Sequence, residues 1–289
     1  MRVISYLSLL LLAASVSSAA KSSNATMNAA IQGSVNLGNA TTTQKPAGGE
    51  TSVKTGSKNS TETTAVNATG TESAVAQVIT KCTVPGTFAI TFDDGPFQFT
   101  EGLVDYLNQN KLKATFFVNG KNYDRIETYA KVVKKMFDSG HQIGSHTWSH
   151  KDLATLKESS IRCQMKKLDC HLKKIIGVRP IYMRPPFGSV NKLCLRVLGE
   201  MGYKVVTWDV DSKDYEVNNL EKEQANYQKD LNGADPKTTG HISLQHDVYN
   251  ITAGQLAPWA FDFVQKQGYK AVTVAECLND SDPKNWYRA

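Results

Sequence analysis

The amino-acid sequence predicts an α/β fold closed into a (β/α) barrel. From Cys82 onward, short apolar runs alternate with amphipathic segments of helical periodicity, which is the pattern of parallel βα units. Seven such units in roughly 200 residues favour a barrel over an open sheet, and this part contains no Gly-rich dinucleotide or phosphate loop. The predicted strands are 87–92, 114–118, 142–144, 182–184, 204–208, 242–245 and 271–274.

Helices are predicted between the strands, where apolar residues recur at spacings of three and four. This spacing places the apolar side chains on one face of a helix, which can then pack against the sheet. Gly202 and Gly268 follow two of these segments and indicate where the chain leaves the helix. The apolar positions are Ile161, Met165, Leu168, Leu172 and Ile176 in the first segment, Leu193, Leu195 and Leu198 in the second, and Leu256 to Val264 in the third.

The N-terminal part has a different composition. Arg2 precedes an apolar run from Tyr6 to Ala14, and small residues follow, which is the layout of a secretory signal peptide over residues 1–20. Residues 21–80 are rich in Ser, Thr, Ala, Asn and Gly and cannot bury enough apolar surface to offset the entropy of ordering. We therefore expect a disordered Ser/Thr-rich linker, followed by one folded domain over residues 82–289.

The linker has the character of a glycosylated stalk, because Asn-x-Ser/Thr sequons cluster in it. No apolar run after the signal peptide is long enough for a transmembrane helix. We expect a secreted glycoprotein that is extracellular or associated with a cell wall. The sequons begin at Asn24, Asn39, Asn59 and Asn67 in the linker and at Asn250 and Asn279 in the folded part.

The charge pattern argues against a nucleic-acid partner. The formal net charge is +6, which is modest for 289 residues. Lysines are interspersed with Asp and Glu, and the basic block expected of a nucleic-acid-binding protein is missing.

The five cysteines indicate one disulfide and leave the others open. Cys82 and Cys277 stand at the two edges of the folded part, so a disulfide between them is expected. Cys163 and Cys170 lie on one predicted helix with their Cα atoms roughly 10 Å apart, which is too far for a disulfide. Either of them could pair with Cys194, which would leave one free thiol.

Polar side chains follow five of the predicted strands at their C-terminal ends, where the chemistry of (β/α) barrels is located. Each taken alone has an ordinary explanation as a turn, a helix cap or a surface histidine. Accidental surface residues would be scattered over both ends of the strands, whereas these share one end, which indicates a site. They are Asp93 and Asp94 after the first strand, His146 and His150 after the third, Arg184 to Phe187 after the fourth, Asp209 to Tyr215 after the fifth, and His246 and Asp247 after the sixth.

These segments resemble, in order, the five motifs of the polysaccharide deacetylases, carbohydrate esterase family 4. The resemblance extends over about 86–274 and is closest to the fungal chitin deacetylases. It implies a distorted (β/α) barrel that binds one divalent metal, most often Zn²⁺, with Co²⁺ as an alternative. The matching segments are Thr91-Phe-Asp-Asp-Gly-Pro96, His146-x-x-x-His150, Arg184-Pro-Pro-Phe187, Asp211-Ser-Lys-Asp-Tyr215 and Leu244-Gln-His246.

The resemblance also implies a role for each motif residue. Two imidazoles and a carboxylate form a common zinc triad that leaves a coordination position open for water and substrate. The implied metal ligands are Asp94, His146 and His150; the implied general base is Asp93, oriented by Arg184; the implied general acid is His246, held by Asp214; and Phe187, Tyr215 and Leu244 are implied to contact substrate, Phe187 through its backbone N–H.

Two positions depart from the family pattern. Phe187 stands where Tyr is frequent, and Tyr215 stands where Trp is usual. The implied Phe187 contact is made by backbone, and Tyr215 still supplies an aromatic wall, so neither change removes a catalytic group.

The resemblance implies a monomeric, metal-dependent hydrolase that removes N-acetyl groups from the N-acetylglucosamine residues of chitin, giving chitosan and acetate. One alternative is an O-acetyl esterase of the same family that acts on acetylated xylan. Another is a glycan-binding wall protein without activity. A pure binding protein has no need of a general base at Asp93 and a general acid at His246, so the complete set favours an enzyme.

Overall fold

The computed structural model describes residues 75–289, so the predicted signal peptide and residues 21–74 of the predicted linker lie outside the described residues. The sequons at Asn24, Asn39, Asn59 and Asn67 lie outside it too. The described part alternates strands with helices, and the α/β prediction is confirmed. The strands are β1 Val78–Ile79, β2 Thr87–Ala89, β3 Thr91–Asp93, β4 Thr115–Val118, β5 Gln142–Ser145, β6 Arg179–Pro180, β7 Tyr182–Met183, β8 Lys204–Val206, β9 Val210–Asp211, β10 His241–Leu244, β11 Lys270–Val272 and β12 Tyr287–Arg288.

The three helices predicted from apolar spacing are present. In the longest of them, the predicted apolar residues from Ile161 to Ile176 are all buried, and the helix ends at Gly177, whose φ of 82° few other residues adopt. A π-helical turn over Thr252–Leu256 leads into the last long helix. The helices are α1 Thr100–Gln109, α2 Ala130–Asp138, α3 Glu158–Ile176, α4 Lys192–Glu200, α5 Asp214–Val217, α6 Leu220–Asp230, α7 Ala257–Lys266 and α8 Val274–Cys277.

Ten of the twelve strands form two curved sheets that meet at one line, and β6 and β12 form a separate two-stranded antiparallel sheet. One sheet has the strand order β1-β8-β7-β5-β4-β3 and the other has the order β11-β2-β10-β9. All neighbours within these two sheets are parallel. The sheets join where the Asp93 N–H donates to the Gln245 carbonyl at 2.9 Å, and this contact places the end of β3 beside the end of β10.

The join explains why the strand predicted over 87–92 is two strands. The chain pairs with the second sheet through β2, and then with the first sheet through β3. Ile90 lies between the two strands, is fully buried, and accepts a hydrogen bond from the Thr115 N–H. Periodicity cannot reveal this break, because every residue from 87 to 92 is buried and most are apolar.

The predicted linker extends too far toward the fold. Its last residues include β1, which pairs in parallel with β8, and the Thr207 N–H donates to the Ile79 carbonyl at 2.7 Å. Ordered structure therefore includes 78–79 and does not start at Cys82. A two-residue edge strand is stabilised by its partner strand and leaves almost no signal in the composition of its own segment.

One disulfide is present, as predicted, between Cys82 and Cys277. The other three cysteines have free thiols, so the alternative of a second disulfide to Cys194 is wrong. Cys163 and Cys170 are exposed on α3, whereas Cys194 is fully buried in α4. Among the described residues, no helix has the length and apolar character needed to cross a membrane.

Candidate active site

The polar residues that follow five different strands meet around one cavity. It has a volume of about 320 Å³ and lies at the C-terminal ends of β3, β5, β7, β9 and β10. Arg184 and Asp214 lie directly behind its wall and bind residues that line it. The residues that line the cavity are Asp93, Asp94, His146, His150, Phe187, Trp208, Tyr215, Leu244, His246 and Tyr249.

Asp94, His146 and His150 form a cluster with the geometry of a metal site. Asp94 Oδ1 is 3.2 Å from His150 Nε2 and 3.6 Å from His146 Nε2. The three potential ligand atoms all lie within 4.8 Å of one another. Asp94 Oδ1 is buried and receives no hydrogen bond from the described residues, so this carboxylate oxygen has no donor to offset its desolvation.

The state of His146 suits a metal ligand. Its Nδ1–H donates to the Arg184 carbonyl at 2.7 Å, which leaves the lone pair of Nε2 directed toward Asp94. Burial lowers the pKa of His146 to about 3, against the opposing charge of Asp94, so the imidazole is neutral at physiological pH. The neutral imidazole of His146, the second imidazole of His150 and the buried Asp94 oxygen without a hydrogen-bond donor together fit a divalent cation.

Backbone conformation gives these ligands their directions. Asp94 and His150 have φ values of 76° and 49°, in the left-handed region that non-glycine residues seldom adopt. Each such residue costs of order 1–3 kcal/mol, and residues of this kind are concentrated at functional sites. Between the two aspartates and Pro96, Gly95 is required for space, because a Cβ atom there would lie 2.2 Å from a carboxylate oxygen of Asp247.

Asp93 is held by a buried arginine. Arg184 Nη1 donates to Asp93 Oδ1 at 2.9 Å and to Thr91 Oγ1 at 2.6 Å, while Nη2 donates to the Thr207 carbonyl at 2.9 Å. Both side chains of the pair are almost completely buried. Burial raises the pKa of Asp93, and the charge of Arg184 opposes that shift. The result is a fixed carboxylate, more basic than an exposed aspartate.

His246, which follows β10, is held by Asp214. Asp214 Oδ1 accepts from His246 Nδ1 at 2.7 Å, and Oδ2 accepts from the His246 backbone N–H at the same distance. Burial disfavours the charged imidazole, but the charges of Asp214, Asp94 and Asp93 prevail and raise the pKa of His246 to about 9. With Nδ1 engaged by Asp214, Nε2 is the nitrogen that remains for a ligand in the cavity.

Aromatic side chains form the rim. Phe187 is 68% exposed and has φ 61°, and Tyr215 is 45% exposed with its hydroxyl bound to Asp211. Leu244 is buried and contributes an apolar surface to the wall. Sequence reasoning placed all three near substrate but missed Trp208 and Tyr249. Both are aromatic residues within three positions of a strand end or motif residue, a signal that could have identified them.

Comparisons with known proteins agree with this geometry. Residues 80–206 match the family model described as polysaccharide deacetylase. A chitin deacetylase from Pestalotiopsis sp is 46% identical over 217 residues, covering 74% of this chain and 71% of that protein. A chitin deacetylase from Colletotrichum lindemuthianum is 42% identical over 219 residues, covering 74% of this chain and 88% of that protein.

A solved structure gives the same result for the fold. The structure of the chitin deacetylase from the fungal pathogen Colletotrichum lindemuthianum matches with a TM-score of 0.70 and 41% identity, over 74% of this chain and 96% of that chain. Sequence identity at this level over most of both chains, together with the shared fold, assigns the family. This chain belongs to the polysaccharide deacetylase family.

Proposed function

We propose that the protein is a metal-dependent chitin deacetylase, which hydrolyses the N-acetyl groups of N-acetylglucosamine residues to give chitosan and acetate. One observation carries the proposal: a metal-type cluster, an arginine-held carboxylate and an aspartate-held imidazole surround the same cavity of about 320 Å³. Hydrolysis of an amide needs an activated water, a base and a proton donor for the amine. The names of the relatives supply the substrate, chitin.

We propose Zn²⁺ as the bound ion, held by Asp94, His146 and His150, with Co²⁺ as the second candidate. Two imidazoles and one carboxylate are an established set of catalytic zinc ligands. When bound, the ion supplies Lewis-acid activation of a water molecule and of the acetyl carbonyl. The support from this chain is the buried oxygen of Asp94 without a donor and the neutral His146.

Asp93 acts first, as general base. Its carboxylate accepts a proton from the attacking water, and the raised pKa that burial produces makes it a stronger base than an exposed aspartate. Arg184 holds the carboxylate in place through Oδ1, so Oδ2 is free for the water. Attack places negative charge on the former carbonyl oxygen, and we assign the Phe187 backbone N–H as a donor to it.

His246 acts second, as general acid. The C–N bond breaks only if the departing nitrogen receives a proton, because an amide anion is a very poor leaving group. Protonated His246 donates this proton from Nε2 and becomes neutral, while Asp214 retains the hydrogen bond to Nδ1 and fixes the ring. Acetate and a free amine on the sugar are the products.

The proposal includes a secreted, monomeric protein with a signal peptide over 1–20, a glycosylated linker and a catalytic domain. Composition supports the first two parts, and the ordered residues from 75 onward support the third. Asn250 and Asn279 are exposed and therefore accessible for glycosylation. The mass of the secreted protein before and after enzymatic removal of N-glycans tests this, and an unchanged mass would contradict it.

The activity is tested with two substrates. Chitin pentamer and acetylated xylan are each incubated with the protein, with and without zinc, and the products are measured by mass spectrometry. We expect losses of 42 Da from the pentamer, the mass change when an acetyl group is replaced by hydrogen, only when zinc is present. Acetate release from xylan alone would instead assign an O-acetyl esterase, and binding without product would assign a glycan-binding protein.

A further inference from the structure

The carboxylate of Asp214 receives a third hydrogen bond that none of the motifs contains. Thr252 Oγ1 donates to Asp214 Oδ2 at 2.7 Å, beside the bond from the His246 backbone N–H to the same oxygen. The side chain of Thr252 is completely buried, and Asp214 is 3% exposed. Water has almost no access to this carboxylate, so its position depends on these protein donors.

The segment that carries Asp214 gives it limited support. Asp214 begins α5, a helix of four residues, and the residues on either side, Lys213 and Asn218, have left-handed φ values of 55° and 40°. A short helix between two such turns has few hydrogen bonds of its own to hold its first residue. The preceding residues are joined to β10 by the pairing of β9 and by the Ser212 N–H, which donates to the Leu244 carbonyl at 3.2 Å. Beyond Ser212, the side-chain bonds of Asp214 link it to the strand end that carries His246.

Thr252, which donates this hydrogen bond to Asp214, lies in a well-packed part of the fold. It begins the π-helical turn over Thr252–Leu256, which continues without interruption into α7. This stretch is packed into the hydrophobic core through residues that are almost fully buried. They are Ala253, Leu256, Ala257, Ala260, Phe261 and Val264.

We propose that Thr252 is a positioning residue for the general acid. Its hydroxyl and the His246 N–H together fix Oδ2 of Asp214, so the carboxylate cannot rotate and Oδ1 stays in line with His246 Nδ1. Without the hydroxyl, Oδ2 retains one donor, and rotation of the carboxylate tilts the imidazole away from the departing nitrogen. This inference rests on the proposed function, because it assigns Thr252 a part in the proton transfer to the amine.

Thr252 is also the third residue of the sequon that begins at Asn250. A substitution of Thr252 therefore removes a possible glycan along with the hydroxyl, and the two effects must be separated. Asn250→Gln removes the glycan and keeps the hydroxyl, since the Asn250 side chain is exposed and does not line the cavity. Thr252→Ser keeps both the hydroxyl and the sequon.

The test compares turnover of chitin pentamer with turnover of an aryl acetate by the zinc-loaded protein. An aryl oxide departs without a proton, so the aryl acetate does not need His246 as acid. We expect Thr252→Val to lower kcat for the pentamer about 10–100-fold, the range for loss of one hydrogen bond to a charged group, with KM nearly unchanged. We expect less than about a threefold loss on the aryl acetate, recovery of most of the pentamer activity in Thr252→Ser, and full activity in Asn250→Gln.

Thr252→Ala is measured in parallel, because it removes the same hydroxyl without adding a methyl group. If the valine variant folds poorly, the alanine variant provides the same comparison. In an Asp214→Asn background, Thr252→Val should add little further loss, since both changes act on one carboxylate. Equal losses of Thr252→Val on both substrates, or full additivity with Asp214→Asn, would overturn the inference. His246→Ala is measured on both substrates as well. Equal losses on the two substrates for His246→Ala would show that His246 is not the general acid, which would contradict the proposed function and not only the role of Thr252.

Discussion

The guanidinium of Arg184 and the carboxylate of Asp93 form an ion pair that is almost completely buried, with Nη1 2.9 Å from Oδ1. Removing one partner of such a pair leaves an uncompensated charge in a medium of low polarity. Arg184 Cζ also lies over the Phe117 ring, 4.4 Å from its centroid, and the guanidinium donates hydrogen bonds to Thr91 Oγ1 and to the Thr207 carbonyl. The pair thus joins the reactive site to three strand ends of the barrel.

We predict that Arg184→Met lowers the free energy of unfolding by about 3–5 kcal/mol, because Asp93 loses its counter-charge. The double variant Arg184→Met/Asp93→Asn should be less destabilised than Arg184→Met alone, since the unpaired charge is gone. Denaturant unfolding of four proteins, the original protein, Arg184→Met, Asp93→Asn and the double variant, measures this. A double variant that is destabilised by the sum of the two single changes would show that the charges are not coupled.

The cluster of Asp94, His146 and His150 gives a second prediction. His150→Ala should retain less than about a tenth of the zinc bound by the original protein, because it removes one of three ligands. His171→Ala is the matched control: its side chain is 21% exposed against 19% for His150, but it pairs with Glu127 outside the cluster. Elemental analysis after dialysis measures the zinc content. Equal zinc in the His150→Ala protein and in the control would exclude the triad.

The third prediction concerns pH. A general acid must be protonated, so activity should fall as pH rises through the pKa of His246, which Asp214 helps to raise to about 9. Asp214→Asn keeps the shape and removes the charge, so it should lower this pKa and move the alkaline limb of the pH profile to lower pH. The acidic limb, set by deprotonation of the base, should move less. An alkaline limb at the original pH in Asp214→Asn would contradict the role of the carboxylate.

Much of the site was predictable because parallel strands place their C-terminal ends on one side of a barrel. Asp93, His146 and His246 are far apart in sequence, yet each lies within two residues of the end of a predicted strand, and their convergence follows from topology alone. The residue types then restrict the chemistry to metal binding and proton transfer. The three helices were predictable for a similar reason, since a one-sided apolar stripe is a local property of the chain.

The supporting residues were not predictable, because their roles depend on distant partners. Thr91 begins the first matching motif but received no role from it, Thr252 lies outside all five motifs, and only the fold brings them to Arg184 and Asp214. The division of 87–92 into two strands depends on which sheet each half joins. The strand β1 is likewise defined by its pairing with β8, so a boundary drawn from composition misplaced it.

The strand β1 gives the fourth prediction. Deletion of residues 21–74 should leave the turnover of chitin pentamer nearly unchanged, because the segment contains no proposed catalytic group. Extending the deletion through Ile79 should remove the partner of β8 at the edge of the sheet. We expect this longer deletion to lower the free energy of unfolding by about 1–2 kcal/mol, which corresponds to a fall in Tm of roughly 2–8 °C for a domain of this size. Calorimetry of both truncated proteins measures it, and identical Tm values would show that β1 adds no stability.

The most direct test of the account compares Asp93→Asn with His246→Ala on an amide and on an activated ester. General acid–base groups contribute about 10²–10⁴-fold each, so both variants should lose that much turnover of chitin pentamer while they retain zinc. Asp93→Asn should lose as much on an aryl acetate, because each reaction needs the activated water. His246→Ala should lose far less on the ester, whose leaving group departs without a proton. The measurement is acetate release from both substrates by each variant, with zinc content determined in the same samples. Equal losses on the two substrates for His246→Ala, at full zinc content, would contradict its assignment as proton donor to the departing amine.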